Sequence, residues 1–253
     1  MTTGAITGYI DVAQLVLYVF WIFFIGLVIY LRREDKREGY PLEAEGSSRV
    51  RVVGFPDLPE PKTFLLPHGG GTRVVPRVEA KGYDLAAKPT SPYPGSPLHP
   101  TGNPMVDGVG PGAWAIRPDV PDLSHEGTPR IIPMRVAKGW SVDGRDPNPI
   151  GLPVLGADGV QGGTVVDVWV DQGEPQIRYL ELDASGRRIL LPITLARVGK
   201  DSVAVKSILG SQFANVPGLS NPEQVTLQEE DRITAYYGSG HLYATAERSE
   251  PLV

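Results

Sequence analysis

The feature that most constrains this chain is an unbroken apolar stretch, VAQLVLYVFWIFFIGLVIYL, which runs from Val12 to Leu31 without a charged residue. At about 1.5 Å rise per residue, a helix of this length covers the roughly 30 Å hydrocarbon core of a bilayer. A soluble helix buries one apolar stripe and does not need apolar residues on every side. The stretch therefore predicts a transmembrane helix at 12–31.

The flanks of this stretch predict its orientation. Residues 1–11 contain no Lys or Arg, whereas Arg32, Arg33, Lys36 and Arg37 follow the apolar stretch directly. By the positive-inside rule, the short N-terminus lies outside and the long C-terminal part lies in the cytoplasm. A cleaved signal peptide needs a basic region before its apolar run, and that region is missing, so we expect the helix to persist as an anchor. Arg32 and Arg33 are candidates for contact with lipid headgroups.

Three polar or aromatic side chains share one face of the predicted helix. Gln14, Tyr18 and Trp21 follow one another at steps of four and three residues. A hydroxyl or indole N–H in the middle of a bilayer has no water to bind, so this face is expected to pack against other transmembrane helices. The alternative is a simple anchor whose aromatic residues tolerate lipid.

Composition removes several classes of function. The chain has no cysteine, which excludes disulfides, thiolate metal sites and cysteine nucleophiles. Its formal net charge of -5 argues against a nucleic-acid partner, because phosphate binding requires clustered positive charge. The four histidines, His68, His99, His125 and His241, lack metal-site spacing, and no metal ligand is assigned.

Prolines divide the rest of the chain. Sixteen of the twenty-five prolines lie between Pro41 and Pro129, where they disfavour helices and central strands. The recurring apolar residues among them favour an extended segment, 32–129, that is ordered by lying on a partner rather than a disordered linker. Residues 1–11 form an external N-terminus, and residues 130–253 form the main domain.

The pattern changes to short strands after residue 130. Alternating or β-branched runs separated by turn residues predict six strands, which form a small antiparallel β domain curled into a barrel or sandwich. The runs are IIPMRV, LPVLG, GTVVDVWVD, QIRYLELD, RRILLPITLARV and DSVAVKSIL. Residues 212–216 fit a helical turn, and residues 224–235 fit either a strand or a helix. The fold class is thus mainly β with one N-terminal transmembrane helix.

Motifs for independent catalysis are missing. His68 and the three glycines after it would suit an esterase oxyanion loop, but no GxSxG nucleophile motif accompanies them. The sequence also has neither a Walker lysine nor a Rossmann glycine motif after a strand. A non-enzymatic chain is expected.

Acidic residues gather around the hairpin VVDVWVD-QGEP-QIRYLELD. Alternation places Asp167, Trp169 and Asp171 on one face, with Glu174 in the loop and Arg178 on the return strand. These residues are either an ordinary solvated rim or acids held close together or buried, whose carboxyl pKa values would then rise toward neutral pH. The residue pattern alone leaves both interpretations open.

The order of several longer motifs resembles the H subunit of the purple-bacterial photosynthetic reaction centre. The matching stretches are YIDVAQLVLYVFWIFFIGLVIYLRRED at 9–35, REGYPLE at 37–43, PKTFLLPHGGGT at 61–72, PTGNPMVDGVGP at 100–111, NPIGLPV at 148–154, VVDVWVD at 165–171 and EEDRI at 229–233. The resemblance covers essentially the whole chain.

This resemblance implies a cytoplasmic PRC-barrel-like domain in the bacterial inner, or intracytoplasmic, membrane. It implies that the domain caps the L and M subunits, which hold the bacteriochlorophylls, bacteriopheophytins, quinones and non-haem iron. A cytochrome subunit, a light-harvesting 1 ring and membrane lipids are further expected neighbours. No cofactor is expected on this chain itself.

The resemblance also implies a role in delivering protons to the secondary quinone. Glu174 matches the family's interior carboxylate, with Asp171 and Arg178 as neighbours. Where relatives carry one Asp and two His, this chain has Asp122, His125 and Glu126 among its nearby residues, so these three are substitute candidates for the surface end of the route. A plain exposed turn is the alternative at that place.

Two other functions remain to be separated from this one. One is a free-standing, membrane-anchored β-barrel adaptor for protein binding, and the other is a membrane-bound enzyme, which the missing motifs disfavour. Co-purification with pigmented partner subunits distinguishes the first two.

Overall fold

The computed structural model describes residues 4–7, 9–44, 47–76, 82–93 and 95–249. Small parts of the predicted segments 1–11, 32–129 and 130–253 therefore lie outside the described residues. The chain forms two compact units. Unit 1 comprises residues 1–81 and 93–95, and unit 2 comprises residues 82–92 and 96–253.

Unit 1 begins with the single helix α1, Val12–Asp35, which has a mean hydropathy of 2.5 in its most apolar window. The carboxylate of Asp11 caps this helix by accepting a hydrogen bond from the Gln14 N–H at 2.7 Å. The helix continues four residues beyond the predicted span, through Arg32 and Arg33. Its length and composition suit a membrane span.

Two antiparallel hairpins follow in unit 1. The first pairs β1 with β2 and the second pairs β3 with β4. Their bounds are β1 Leu42–Ala44, β2 Ser47–Val52, β3 Lys62–Leu65 and β4 Thr72–Val75. Outside residues 43–51, the buried side chains among the described residues of this unit are those of Lys36, Pro56 and Pro59. The described side chains of the β3–β4 hairpin include none that is buried.

Unit 2 contains one small hairpin and one larger sheet. The hairpin joins β5, Ala87–Pro89, to β6, Leu98–Pro100. The seven strands of the sheet are β7 Ile131–Pro133, β8 Pro153–Leu155, β9 Gln161–Asp171, β10 Gln176–Ala184, β11 Arg187–Pro192, β12 Ala196–Val198 and β13 Val203–Val205. Every one of the six predicted strand runs overlaps at least one of these strands.

The long strand β9 lies at the centre of this sheet. The strand order is β11-β10-β9-β8-β13-β12, and β7 also pairs with β9. All pairs are antiparallel except β13 with β8, which departs from the all-antiparallel expectation. In the described residues the two end strands, β11 and β12, do not pair, so the sheet is open rather than a closed barrel.

The apolar core of unit 2 forms around β9, β10 and β11. Val168, Leu180 and Leu190 have no exposed surface. Residues 167–171 of β9 are all buried, although alternation places their side chains on both faces of the sheet. The alternating polar residues of this strand are thereby taken out of water.

The α-helix described in unit 2 is α2, Leu227–Tyr243, and a short 3-10 helix, Ala246–Arg248, follows it. Helix α2 begins with a capping box, in which the Thr226 hydroxyl accepts from the Glu229 N–H and the Glu229 carboxylate accepts from the Thr226 N–H. This settles the choice between strand and helix at 224–235 in favour of helix. The expected helical turn at 212–216 is observed as a 3-10 helix, Gly210–Asn215.

Candidate functional site

The carboxylate of Asp171 organises the turn between β9 and β10. Its Oδ1 accepts hydrogen bonds from the N–H groups of Gly173 at 2.9 Å and Glu174 at 3.1 Å. Aspartate is common before tight turns because its short carboxylate reaches N–H groups two residues ahead. Asp171 is 1% exposed, so the turn is built around a buried charge.

Arg130 holds three carboxylates together. Its guanidinium nitrogens lie 2.7 Å from Asp171 Oδ1, 3.2 Å from Glu174 Oε1 and 3.6 Å from Asp122 Oδ2. Arg178 adds a second positive charge, with its Nη1 atom 3.8 Å from Asp171 Oδ2. We call these five residues the Arg130 cluster.

The backbone fixes Arg130 in this place. Arg130 directly precedes β7, and β7 pairs with β9 so that Ile131 lies opposite Asp171. The Gln172 N–H donates to the Arg130 carbonyl at 2.9 Å, and the Arg130 N–H donates to the Asp122 carbonyl at 2.8 Å. A side chain at Gly173 would have its Cβ 3.0 Å from Arg130 Nε, so the arginine packs closely over the turn.

The turn at 122–130 forms the second wall of the site. The Ser124 N–H donates to the Thr128 carbonyl at 2.8 Å, and the two hydroxyls lie 2.9 Å apart. His125 and Glu126 occupy its tip, with the His125 Nε2 atom 3.9 Å from Glu126 Oε1 and both side chains largely exposed. The turn is closed by hydrogen bonds rather than by apolar packing.

A cleft of about 440 Å³ lies between the two turns. Residues 123–126 and 128 line one side, and Arg130 with residues 172–174 lines the other. Four of the six residues predicted for proton transfer, Glu174, Asp171, Asp122 and Arg178, belong to the Arg130 cluster. The other two, His125 and Glu126, lie at the opening of the same cleft.

Asp171 and Glu174 have different surroundings. Burial tends to raise the pKa of Asp171, but hydrogen bonds from Arg130 and from the N–H groups of Glu174 and Gly173 outweigh burial and lower it. Asp171 is therefore a fixed negative charge. The side chain of Glu174 is 66% exposed, and its other oxygen accepts from Gln176 Nε2 at 3.1 Å. Of the two carboxylates, Glu174 is the one that water can reach.

This result decides between the two interpretations of the hairpin acids for Asp171. The residue is buried, so it is not part of a solvated rim. Its pKa is nevertheless lowered rather than raised, because the arginine and the turn N–H groups stabilise the ionised form.

A partly buried carboxyl that the sequence did not single out lies near the cluster. Glu230, in the first turn of α2, accepts a hydrogen bond of 2.6 Å from the Tyr179 hydroxyl of β10. Burial raises the pKa of Glu230; the Tyr179 hydrogen bond and the charge of Arg178 oppose this rise, and the charge of Asp122 adds to it. Burial likewise raises the pKa of Tyr179. Arg178 and Asp122 thus act electrostatically on Glu230 as well as belonging to the Arg130 cluster.

A second ion cluster lies further along the same hairpin. Asp167 and Glu181 are cross-strand partners, and both accept hydrogen bonds from Arg135 Nη1, at 2.9 and 2.5 Å. The Trp169 indole N–H donates to Glu181 at 2.9 Å. The cluster connects β9 and β10 to the segment directly after β7.

The predicted packing face of α1 carries an internal hydrogen bond. Gln14 Nε2 donates to the Tyr18 hydroxyl at 2.7 Å, and the Trp21 ring packs edge-to-face against Phe24 with centroids 5.9 Å apart. Tyr18 and Trp21 are each half-exposed on the surface of the helix. Packing of this face against partner helices stays a prediction.

The two arginines at the end of α1 differ. Arg32 donates to the Tyr40 hydroxyl at 3.1 Å, so this side chain has a partner within unit 1. Arg33 is exposed. Contact of either arginine with lipid headgroups also stays a prediction. Among the described residues, no group of three or more His, Cys, Asp or Glu side chains is placed to hold a metal ion.

The open β sheet, its central hairpin and the N-terminal apolar helix define a membrane-anchored β protein. Residues 143–212 match the family model of the PRC-barrel domain. Residues 4–136, more than half of the chain, match the family model described as photosynthetic reaction centre, H-chain N-terminal region.

The chain therefore belongs to the photosynthetic reaction centre H-chain family. It is a subunit of the reaction centre complex with a single-pass membrane anchor. Members of this family are structural subunits and are not enzymes in their own right. The resemblance and the fold class predicted from the sequence are both confirmed.

Proposed function

We propose that this chain caps the cytoplasmic face of the L and M subunits, stabilises the reaction centre and helps deliver protons to the secondary quinone. Its N-terminus is then periplasmic and unit 2 cytoplasmic, as the Lys and Arg residues after the apolar stretch favour. The chain contributes no catalytic group that acts alone. The observation that carries the proton-delivery proposal is the Arg130 cluster, in which one buried carboxylate is fixed and an adjacent one is exposed.

The chemistry of the quinone requires such a route. Reduction of the secondary quinone to quinol takes two electrons and two protons, and a quinone enclosed by protein receives protons only through hydrogen-bonded side chains and bridging waters. We propose that Glu174 takes up and releases the proton, since it is the water-accessible carboxylate next to the fixed charge of Asp171.

The other members of the cluster act on the position and charge of Glu174. Arg130 binds Asp171 and Glu174 together, so the exposed carboxylate keeps one place relative to the turn. Asp171 stays ionised and offsets the positive charges of Arg130 and Arg178. His125, Glu126 and Asp122, along the 122–130 turn, form the surface end of the route.

The electron-transfer groups belong to the partners in this proposal. Bacteriochlorophyll, bacteriopheophytin, the quinones and the non-haem iron are held by L and M. The cysteine-free sequence and its four scattered histidines suit a chain that holds none of them. A cytochrome subunit, a light-harvesting 1 ring and membrane lipids are the remaining proposed neighbours.

The test of assembly is purification of the tagged chain in mild detergent from a purple bacterium that lacks its own copy. We expect bacteriochlorophyll absorbance and the L and M subunits to co-purify with it. A chain recovered without pigment and without L and M contradicts the proposal and supports the adaptor alternative.

The test of proton delivery is Glu174→Gln in the assembled complex. Gln retains the size of Glu174 but cannot exchange a proton, so we expect slower flash-induced proton uptake with the second electron transfer. The matched control is Glu223→Gln, which removes an exposed carboxylate outside the cleft. Equal proton-uptake rates in wild type and Glu174→Gln reject the assignment.

A further inference from the structure

The Lys36 side chain, directly after α1, is buried, and within the part of the chain that the structure describes it has no carboxylate partner. The residue is 1% exposed although lysine is among the side chains least often buried. Its Nζ atom donates to three backbone carbonyls, those of Val53 at 2.6 Å, Gly54 at 3.0 Å and Pro56 at 2.6 Å. An ammonium group has three N–H donors, so each one has an acceptor.

The carbonyl oxygens of Val53, Gly54 and Pro56 converge on one point, and we call this arrangement the carbonyl cup. It suits a primary ammonium group. Gly54 has a φ of +65°, a conformation that side chains of L-residues rarely adopt, and its Cβ position would lie 4.0 Å from Lys36 Nζ. The Tyr40 ring lies on the same ammonium group, with its centroid 5.2 Å from Nζ. Three carbonyl oxygens and one aromatic face thus replace the water around this cation.

We infer that Lys36 is a positioning residue for assembly of the reaction centre, and that the carbonyls of Val53, Gly54 and Pro56 are a binding site for a primary ammonium group. Lys36 is the C-cap residue of α1, so the carbonyl cup fixes the 53–56 turn to the end of the membrane helix. The same turn presents Phe55, which is 81% exposed. The position of this exposed aromatic ring relative to the membrane anchor therefore depends on Lys36.

This inference rests on the proposed association with L and M, and the two fail in different ways. If the wild-type chain does not co-purify with L and M, the proposed function fails. If wild type co-purifies and changes at Lys36 have no effect, only the role of Lys36 fails.

The experiment compares retention of the tagged chain in the pigmented complex after a detergent wash. Lys36→Met keeps most of the side-chain volume but leaves the carbonyls without their donors, and we expect retention to fall about tenfold. Lys36→Arg should also lose retention, because a planar guanidinium does not present three converging N–H groups. The matched control is Lys62→Met, which removes a half-exposed lysine from its pair with Glu34 and should stay within about twofold of wild type.

Chemical rescue separates ammonium binding from a general loss of folding. Lys36→Ala removes three carbons and the ammonium group, which together correspond to propylammonium. Added propylammonium should restore retention, whereas propyltrimethylammonium, which has the same charge and no N–H donor, should not. Retention of Lys36→Met within twofold of wild type overturns the inference. If both added cations restore retention of Lys36→Ala, or if neither does, the inference is also overturned.

Discussion

Unit 1 and unit 2 are stabilised by different kinds of contact. In unit 2, apolar side chains such as Val168, Leu180 and Leu190 are removed from water around β9. In unit 1, two cationic side chains bind backbone carbonyls. Lys36 binds three of them, and Arg37 Nη1 donates to the carbonyls of Glu60 at 2.6 Å and Val75 at 3.2 Å.

The difference has a functional consequence. Unit 1 leaves apolar side chains such as Phe55 and Leu65 more than 80% exposed, and exposed apolar surface of this kind is typical of contact with a membrane or a protein partner. Unit 2 has its own core and uses buried polar groups for a site. The exposed apolar side chains of unit 1 therefore suit the proposed attachment to partners, and the polar cluster of unit 2 suits the proposed proton delivery.

The largest expected effect is on the core of unit 2. Leu180→Ala creates a cavity at a fully buried position and should lower the free energy of unfolding by about 2–5 kcal/mol. Leu65→Ala, at an 84% exposed position of unit 1, should change it by about 0.5 kcal/mol or less. Guanidinium unfolding of the detergent-solubilised chain measures both. Equal effects would contradict the contrast between the units.

The next largest effect is expected at Arg130. Arg130→Met leaves the buried Asp171 carboxylate without its closest cation, which should cost about 2–4 kcal/mol of unfolding free energy. The matched control is Arg145→Met, which breaks an exposed pair with Asp143 and should cost about 0–1 kcal/mol. If Arg130→Met and Arg145→Met lose similar amounts of unfolding free energy, burial of Asp171 does not strengthen its contact with Arg130.

A smaller effect is expected from Glu230, in its dependence on pH. The pKa of this carboxyl is raised in the folded chain, so its contribution to stability is present below the pKa of the unfolded chain, about 4.3, and is lost as pH rises through the folded pKa. Glu230→Gln keeps an acceptor for Tyr179 and removes this loss. Unfolding measured from pH 4 to 8 should show wild type losing stability relative to the variant as pH rises. Parallel curves would contradict the raised pKa.

The sequence was sufficient for the elements with strong local patterns. Apolar length predicted α1, and alternation predicted most of β9, β10 and β11. The spacing of Asp171, Glu174 and Arg178 placed them on one hairpin. Helix length, strand alternation and turn position depend on residues that are close in sequence, so the local pattern of residue types is sufficient to predict them.

The burial and the partners of the site depended on long-range pairing. Arg130 was not predicted, because its role arises when β7 pairs with β9; its position directly before a predicted strand was the available signal. Glu230 was missed because residues 224–235 fitted both strand and helix. The Thr226 to Glu229 spacing of a capping box would have favoured the helix and placed Glu230 in its first turn.

The central claim is that Glu174 exchanges a proton while Asp171 stays ionised. The most direct measurement is the infrared difference spectrum of the assembled complex, recorded with and without light-driven reduction of the secondary quinone. We expect a protonated-carboxyl band that disappears in Glu174→Gln and remains in Glu223→Gln. A band that persists unchanged in Glu174→Gln would contradict the account.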